Sequence, residues 1–180
     1  MMRRIADAVA FNRMLDSLAV KIDEQCPKGG GTAIVGIQRR GVHLAERLAV
    51  RLESLRGVPL LRGDLDITFY RDDLSMVAQQ PVVHGSHLPF ALDDKTIVLV
   101  DDVIYTGRTA RAALDALTDY GRPRAVRLCA LVDRGWRELP IQPDFTGIVV
   151  PTRAKDVVHV RVRELDGEDA IDIAEGEEEV

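Results

Sequence analysis

The sequence predicts an α/β domain in which a mostly parallel sheet is covered by helices on both faces. Three observations predict it. Short apolar runs lead into polar turns, and the turns lead into stretches with helical apolar spacing. That strand, turn, helix order occurs twice, over residues 33–55 and 96–117. No internal repeat and no linker divides the 180 residues, so one domain is expected over residues 1–174, with 175–180 an acidic, mobile tail.

Phe11, Met14, Leu15, Leu18, Ala19 and Ile22 recur at helical spacing, so residues 11–25 read as an amphipathic helix ended by Pro27 and the glycines at 29–31. Residues 33–37 read as a buried strand, and Val42, Ala45, Leu48, Ala49, Leu52 and Leu55 mark a second helix ending near Gly57. Leu65, Ile67 and Phe69 alternate as in a half-exposed strand. Residues 71–86 carry no sustained period and read as a long excursion. Residues 96–100 are a buried strand, 101–108 a polar turn, and Ala110, Ala113, Leu114 and Leu117 line a helix stopped by Gly121 and Pro123. An apolar run at 125–132, a turn at 133–137, a short strand near 148–150 and the alternation of Val158, Val160 and Val162 complete the body.

The net charge of −5 averages two unlike regions. Nine acids and no Lys or Arg fall between Glu164 and Val180, which leaves 20 acidic against 24 basic residues over 1–163. The acidic segment is expected to be a solvated end, and the mildly basic body suits a phosphate-rich ligand. No apolar run is long enough for a membrane span and no secretory signal opens the chain, so a cytoplasmic protein is expected. Cys26 and Cys129 lack metal-site spacing and are expected as buried thiols.

The segment richest in chemistry is Val98 to Thr109. An apolar strand delivers Asp101 and Asp102 to its carboxyl end, where Thr106, Gly107 and Thr109 meet the start of a helix. Glycine permits close backbone approach, and the free N–H groups of a helix N-terminus favour a phosphate dianion. The two carboxylates can accept from ribose hydroxyls or hold a cation. The plainer alternative is a strand end followed by a Thr109 helix cap. The segment has neither the P-loop pattern nor GxGxxG.

This segment resembles the PRPP-binding motif of type I phosphoribosyltransferases. Gly36 to Gly41, Leu65 to Leu74 and Leu131 to Ile141 extend the resemblance to the branch of bifunctional pyrimidine operon regulators and uracil phosphoribosyltransferases, the PyrR family. The resemblance implies the type I fold, with a flexible active-site loop and a small hood, and conversion of uracil and PRPP to UMP and pyrophosphate. Asp101, Asp102 and Arg40 would be catalytic. Asp101, Asp102, Val103, Tyr105, Thr106, Gly107, Arg108 and Thr109 would hold the ribose and 5′-phosphate, and Arg39, Arg40 and Gly41 the pyrophosphate. A cis peptide is implied in that last turn, where Arg39 replaces the family's usual Thr.

Arg71, Asp72 and Asp73 would open the flexible loop, and Asp133, Arg134 and Gly135 would reach the base. Tyr105 stands where purine members carry a further acid, in agreement with a pyrimidine acceptor. Mg²⁺ is implied as cofactor, held mainly through PRPP and not by a protein metal site. A second role, UMP- and PRPP-responsive binding of a pyrimidine operon mRNA leader, would draw on Arg137, Arg134 and Arg13. The family resemblance also implies a homodimer or homotetramer, and Trp136 occupies a position where His is common.

Overall fold

The computed structural model describes residues 1–73 and 84–176. Five parallel strands form the central sheet in the order β3-β2-β4-β5-β6. They are β2 (Thr32–Ile37), β3 (Leu61–Leu65), β4 (Thr96–Ile104), β5 (Ala125–Asp133) and β6 (Phe145–Val149). Helices α1 (Ala8–Gln25) and α2 (Arg40–Arg56) cover one face, and α3 (Arg108–Thr118) the other. The central strands look uniformly apolar because both faces are buried. Along β4, Val98 and Val100 point into the core beneath α1 and α2, whereas Ile97 and Leu99 point into the core beneath α3.

A second, three-stranded antiparallel sheet forms a hood in the order β1-β8-β7: β1 (Met2–Ala6), β7 (Val157–Arg161) and β8 (Ala170–Ala174), with the short helix α4 (Arg163–Asp166) before β8. This corrects the expectation of a solvated acidic end from Glu164 onward. Asp169 and Asp172 are buried. Arg47 pairs with Asp169 at 2.9 Å and with Glu164 at 2.8 Å, while Arg4 and Arg161 reach Asp172 at 2.6 and 3.1 Å. The acids are therefore the counter-charges of arginines on α2, β1 and β7. The expected acidic tail at 175–180 lies mostly outside the described residues, which end at Gly176.

Three further boundaries differ from expectation. The first helix begins at Ala8, because Asp7 caps it by accepting from the Ala10 N–H at 2.9 Å. The expected strand through Ile67 and Phe69 ends at Leu65 and gives way to a 3₁₀ turn over Thr68–Tyr70. The supposed polar turn at 101–108 is largely strand, since β4 continues beside β5 with Asp101 opposite Ala130, Val103 opposite Val132 and Ile104 opposite Asp133. The alternating valines at 158–162 belong to the hood and not to the central sheet. No helix among the described residues is long and apolar enough to cross a membrane.

Candidate active site

All five central strands run the same way, so their carboxyl ends share one edge, the place where open α/β sheets bind ligands. Two cavities open there, of ≈ 570 and ≈ 520 Å³, and both are lined by Asp101, Val103, Thr109 and Arg71. The first extends along the 105–110 turn, the second toward Gln38, Arg39, Asp66 and His84. Together they give two arms meeting at the acid pair.

The Asp101 carboxylate accepts from the Asp102 N–H, and Asp102 accepts from the Val103 N–H, both at 3.0 Å. Removal from water pushes Asp101 well above the usual carboxylate range, and the charge of Asp102 adds to it. Asp102 is also raised by removal from water, but the Arg40 guanidinium pulls it back in part. A pair held this way favours ligands that bring donors or positive charge.

At the start of α3, Gly107 adopts φ 94°, and the helix has no side-chain cap. The sequence alternative of a Thr109 cap is thereby excluded. The Arg108 N–H points toward Thr106 Oγ1 at 3.3 Å, and the first-turn N–H groups have no intrahelical acceptor. The Arg108 guanidinium turns away from this turn, to Asp72 at 2.7 Å and Glu138 at 2.8 Å. Only the backbone of Arg108 therefore matches the expected phosphate role. Tyr105 is exposed, and Val103 and Thr106 are half-buried at the rim.

The second arm is built on the turn before α2. The Gln38–Arg39 peptide is cis, as the resemblance implies. Arg39 lines the cavity, whereas Arg40 reaches Asp166 on the hood at 2.9 Å. A methyl group on Gly41 would sit 2.3 Å from the Val100 carbonyl oxygen, so only glycine lets this turn lie against β4. Sequence reasoning missed Asp66, which is buried in the wall of this arm. It accepts from the Thr68 N–H and hydroxyl and from the His84 and Gly85 N–H groups at 2.5–2.9 Å, joining the two sides of the 71–86 excursion. Its flanking half-exposed pattern gave no signal, because the partners lie up to 19 residues away.

Arg71 pairs with Asp73 at 2.7 Å, and Asp72 additionally faces Arg111 at 3.5 Å. The remainder of the expected flexible loop, residues 74–83, lies outside the described residues.

The 133–135 turn is held by its own contacts. Asp133 is engaged by Arg137 at 2.7 Å and by the Gly135 N–H at 2.9 Å. The Arg134 guanidinium lies 4.0 Å from the centre of the Tyr105 ring and donates to the Arg153 carbonyl at 3.2 Å. None of the three lines either cavity. Of the residues expected to meet RNA, Arg134 is buried, and Arg137 donates to Asp133 and to the Tyr105 and Ile141 carbonyls. Arg13 is exposed on α1.

Among the described residues no three His, Cys, Asp or Glu side chains cluster to hold a metal. Two adjoining carboxylates at a cavity rim fit a hard divalent cation that takes its other oxygens from a polyphosphate and water.

Comparison with known proteins places this geometry in context. A phosphoribosyl transferase domain model matches residues 2–165. The chain is 51% identical over 172 residues to the bifunctional protein PyrR of Pelotomaculum thermopropionicum, covering 96% of this chain and 95% of that one. It is 48% identical over 171 residues to the PyrR of Elusimicrobium minutum, covering 95% and 96%. A hypoxanthine phosphoribosyltransferase structure from Staphylococcus aureus superposes with a TM-score of 0.69 at 16% identity, covering 97% and 92%, a likeness of fold alone.

Proposed function

The chain belongs to the phosphoribosyl transferase family, in the branch of bifunctional PyrR proteins, and from that premise we propose that it converts uracil and PRPP to UMP and pyrophosphate. The observation that carries the reading is the meeting of two cavity arms at Asp101, with Asp102 beside it in the second arm, one arm ending at the α3 N-terminus and the other at the Arg39 turn. A ribose with a phosphate at one end and pyrophosphate at the other has that shape.

In the reaction, N1 of uracil forms a bond to C1 of the ribose as the bond from C1 to pyrophosphate breaks, and the N1 proton passes to water or to the departing pyrophosphate. Positive charge develops on the ribose ring and negative charge on the leaving group, so catalysis depends on charge placement. Asp101 and Asp102 accept from the ribose hydroxyls and place negative charge beside the ring. The backbone N–H groups of Gly107, Arg108 and Thr109, with the Thr106 and Thr109 hydroxyls, hold the 5′-phosphate. Arg39 and Arg40 draw charge from the pyrophosphate. Mg²⁺ would arrive with PRPP; the Asp101 and Asp102 carboxylates would hold it on the protein side, and it would supply positive charge to offset that of pyrophosphate. Arg71, Asp72 and Asp73 border the 5′-phosphate arm and shield it from water. Tyr105, braced on one face by Arg134, presents a ring where a purine-specific acid would stand.

The decisive assay follows pyrophosphate release from PRPP and Mg²⁺ with uracil, hypoxanthine, guanine and orotate supplied separately. Release with uracil and formation of UMP are expected. Turnover with a purine alone would overturn the reading.

The relatives' designation as bifunctional supports a second role, binding of a pyrimidine operon mRNA leader by a homodimer or homotetramer. Leader RNA titrated with and without UMP should show UMP-dependent affinity that falls with salt. Affinity equal to that for unrelated RNA would refute this role, and sedimentation would fix the assembly.

A further inference from the structure

Arg40 occupies the first position of α2, and its side chain has two neighbours of opposite origin. Its charge acts on Asp102 in the central sheet, and its Nη2 donates to Asp166 Oδ1 on the hood at 2.9 Å. Asp166 is itself fixed. Its other carboxylate oxygen accepts from the Val162 N–H at 2.8 Å, and its own N–H donates to the Val162 carbonyl at 2.8 Å. The hood segment that carries it is anchored to the same helix one face-repeat further on, where Arg47 grips the buried Asp169 at 2.9 Å and Glu164 at 2.8 Å. The segment therefore has little freedom to move relative to the start of α2. Arg40 Nε is enclosed and has no acceptor among the described residues. An enclosed donor without an acceptor is unfavourable until a ligand oxygen approaches it.

We propose that Asp166 is a positioning residue for pyrophosphate: it holds the Arg40 guanidinium between the hood and the acid pair, so that the donors it leaves free meet the leaving group. The inference rests on the reading of residues 39–41 as the pyrophosphate turn. A guanidinium has five donors in a rigid fork, so one can be spent on a carboxylate while others serve a phosphate oxygen. Without the carboxylate, the side chain would sample several rotamers and the ligand would have to order it. The effect should fall on PRPP in the forward direction and on pyrophosphate in the reverse direction. Uracil, which does not meet Arg40, should be unaffected.

Asp166→Asn is the informative variant, because the amide oxygen can still accept from the Val162 N–H while the charge on Arg40 is lost. Steady-state kinetics of the full chain should show KM for PRPP, and KM for pyrophosphate in the reverse reaction, raised about tenfold, the loss of one charge-assisted hydrogen bond. KM for uracil should stay within about twofold. Asp166→Glu should recover part of the loss, and in an Arg40→Ala background Asp166→Asn should add nothing further. Melting temperatures of all variants show whether each is folded, and Asp166→Glu carries the test if the Asn variant is not. An unchanged or lowered KM for PRPP in folded Asp166→Asn, or additive effects of the two substitutions, would overturn the inference. If Arg40→Ala itself left both KM values unchanged, the pyrophosphate reading of Arg40 would fall, and the role of Asp166 with it.

Discussion

Asp66 should be worth far more than its unremarkable place in the sequence suggests. Replacing it by Ala removes one carboxylate and leaves the Thr68, His84 and Gly85 N–H groups and the Thr68 hydroxyl without the acceptor they share. A hydrogen bond to a charged group contributes about 1.5–3 kcal/mol, and a stranded buried donor costs about 1–3 kcal/mol. Those figures cannot simply be added. The adjoining cavity admits water to some of the freed donors, and removing a buried carboxylate recovers its own desolvation. The net loss should be roughly 2–4 kcal/mol.

Asp66→Asn should lose most of the same amount, because its NH₂ would face the His84 and Gly85 N–H groups. Urea denaturation of wild type and both variants at pH 7 measures the difference, and PRPP kinetics on the same samples should show a raised KM. The pH dependence gives an independent check. Burial alone would push the Asp66 carboxyl up, but the hydrogen bonds from Thr68, His84 and Gly85 hold it below the usual carboxylate range. Its stabilisation is therefore complete above the unfolded pKa of about 3.9 and lost as pH falls through the lower folded value. The variants should converge on wild type in that acid range. A loss below about 0.5 kcal/mol in Asp66→Ala, or an Asn variant as stable as wild type, would refute the reasoning.

Asp101→Asn should abolish efficient PRPP use yet raise the melting temperature of the unliganded protein. A carboxyl whose folded pKa is raised costs stability as pH rises through that value, so the gain should be larger at pH 8 than at pH 5, as thermal melts at both pH values will show. Asp102→Asn should weaken PRPP use, and Thr109→Ala should raise KM for PRPP while leaving that for uracil unchanged; unaltered PRPP kinetics in both would sink the site assignment. Gly41→Ala should cost more than about 3 kcal/mol in urea denaturation, since its methyl group would overlap the Val100 carbonyl.

The central sheet was legible because both of its faces are buried. Residues 33–37 and 97–100 read as strands for the same reason that they are strands: both faces are buried and every side chain there is apolar. The Asp101 to Thr109 segment was legible because acids, threonines and a glycine at a strand end serve a ligand better than they serve a core. Its local geometry was less so. Asp is a poor strand former, so sequence reasoning ended β4 too soon, whereas pairing with β5 extends it to Ile104.

The small hood was expected from the family resemblance, but its charged residues could not be read locally, for a different reason. Arg4 in β1 and Asp172 in β8 look like surface charge, and their meaning lies in each other across 168 residues. Arg134 and Arg137 look like surface charge in the sequence, yet both brace the turn beside Tyr105. Asp66 gave no signal because all its partners but the Thr68 hydroxyl are backbone groups, which every sequence contains.

The antiparallel hood has a consequence for the order in which the protein is made. Strand β1 is translated before the central sheet and, among the described residues, pairs only with β8, which follows that sheet in the sequence. During vectorial synthesis the five-stranded sheet and its helices can assemble while β1 still waits with an unpaired edge. Long-range pairing of this kind closes late, because a large loop must be ordered before the contact forms. The 101–109 segment can therefore fold before the hood that reaches Arg40 exists. Newly made chains should pass through a stage at which they have a phosphate-binding turn but no complete site, and the last dozen or so described residues act as the step that commissions the enzyme.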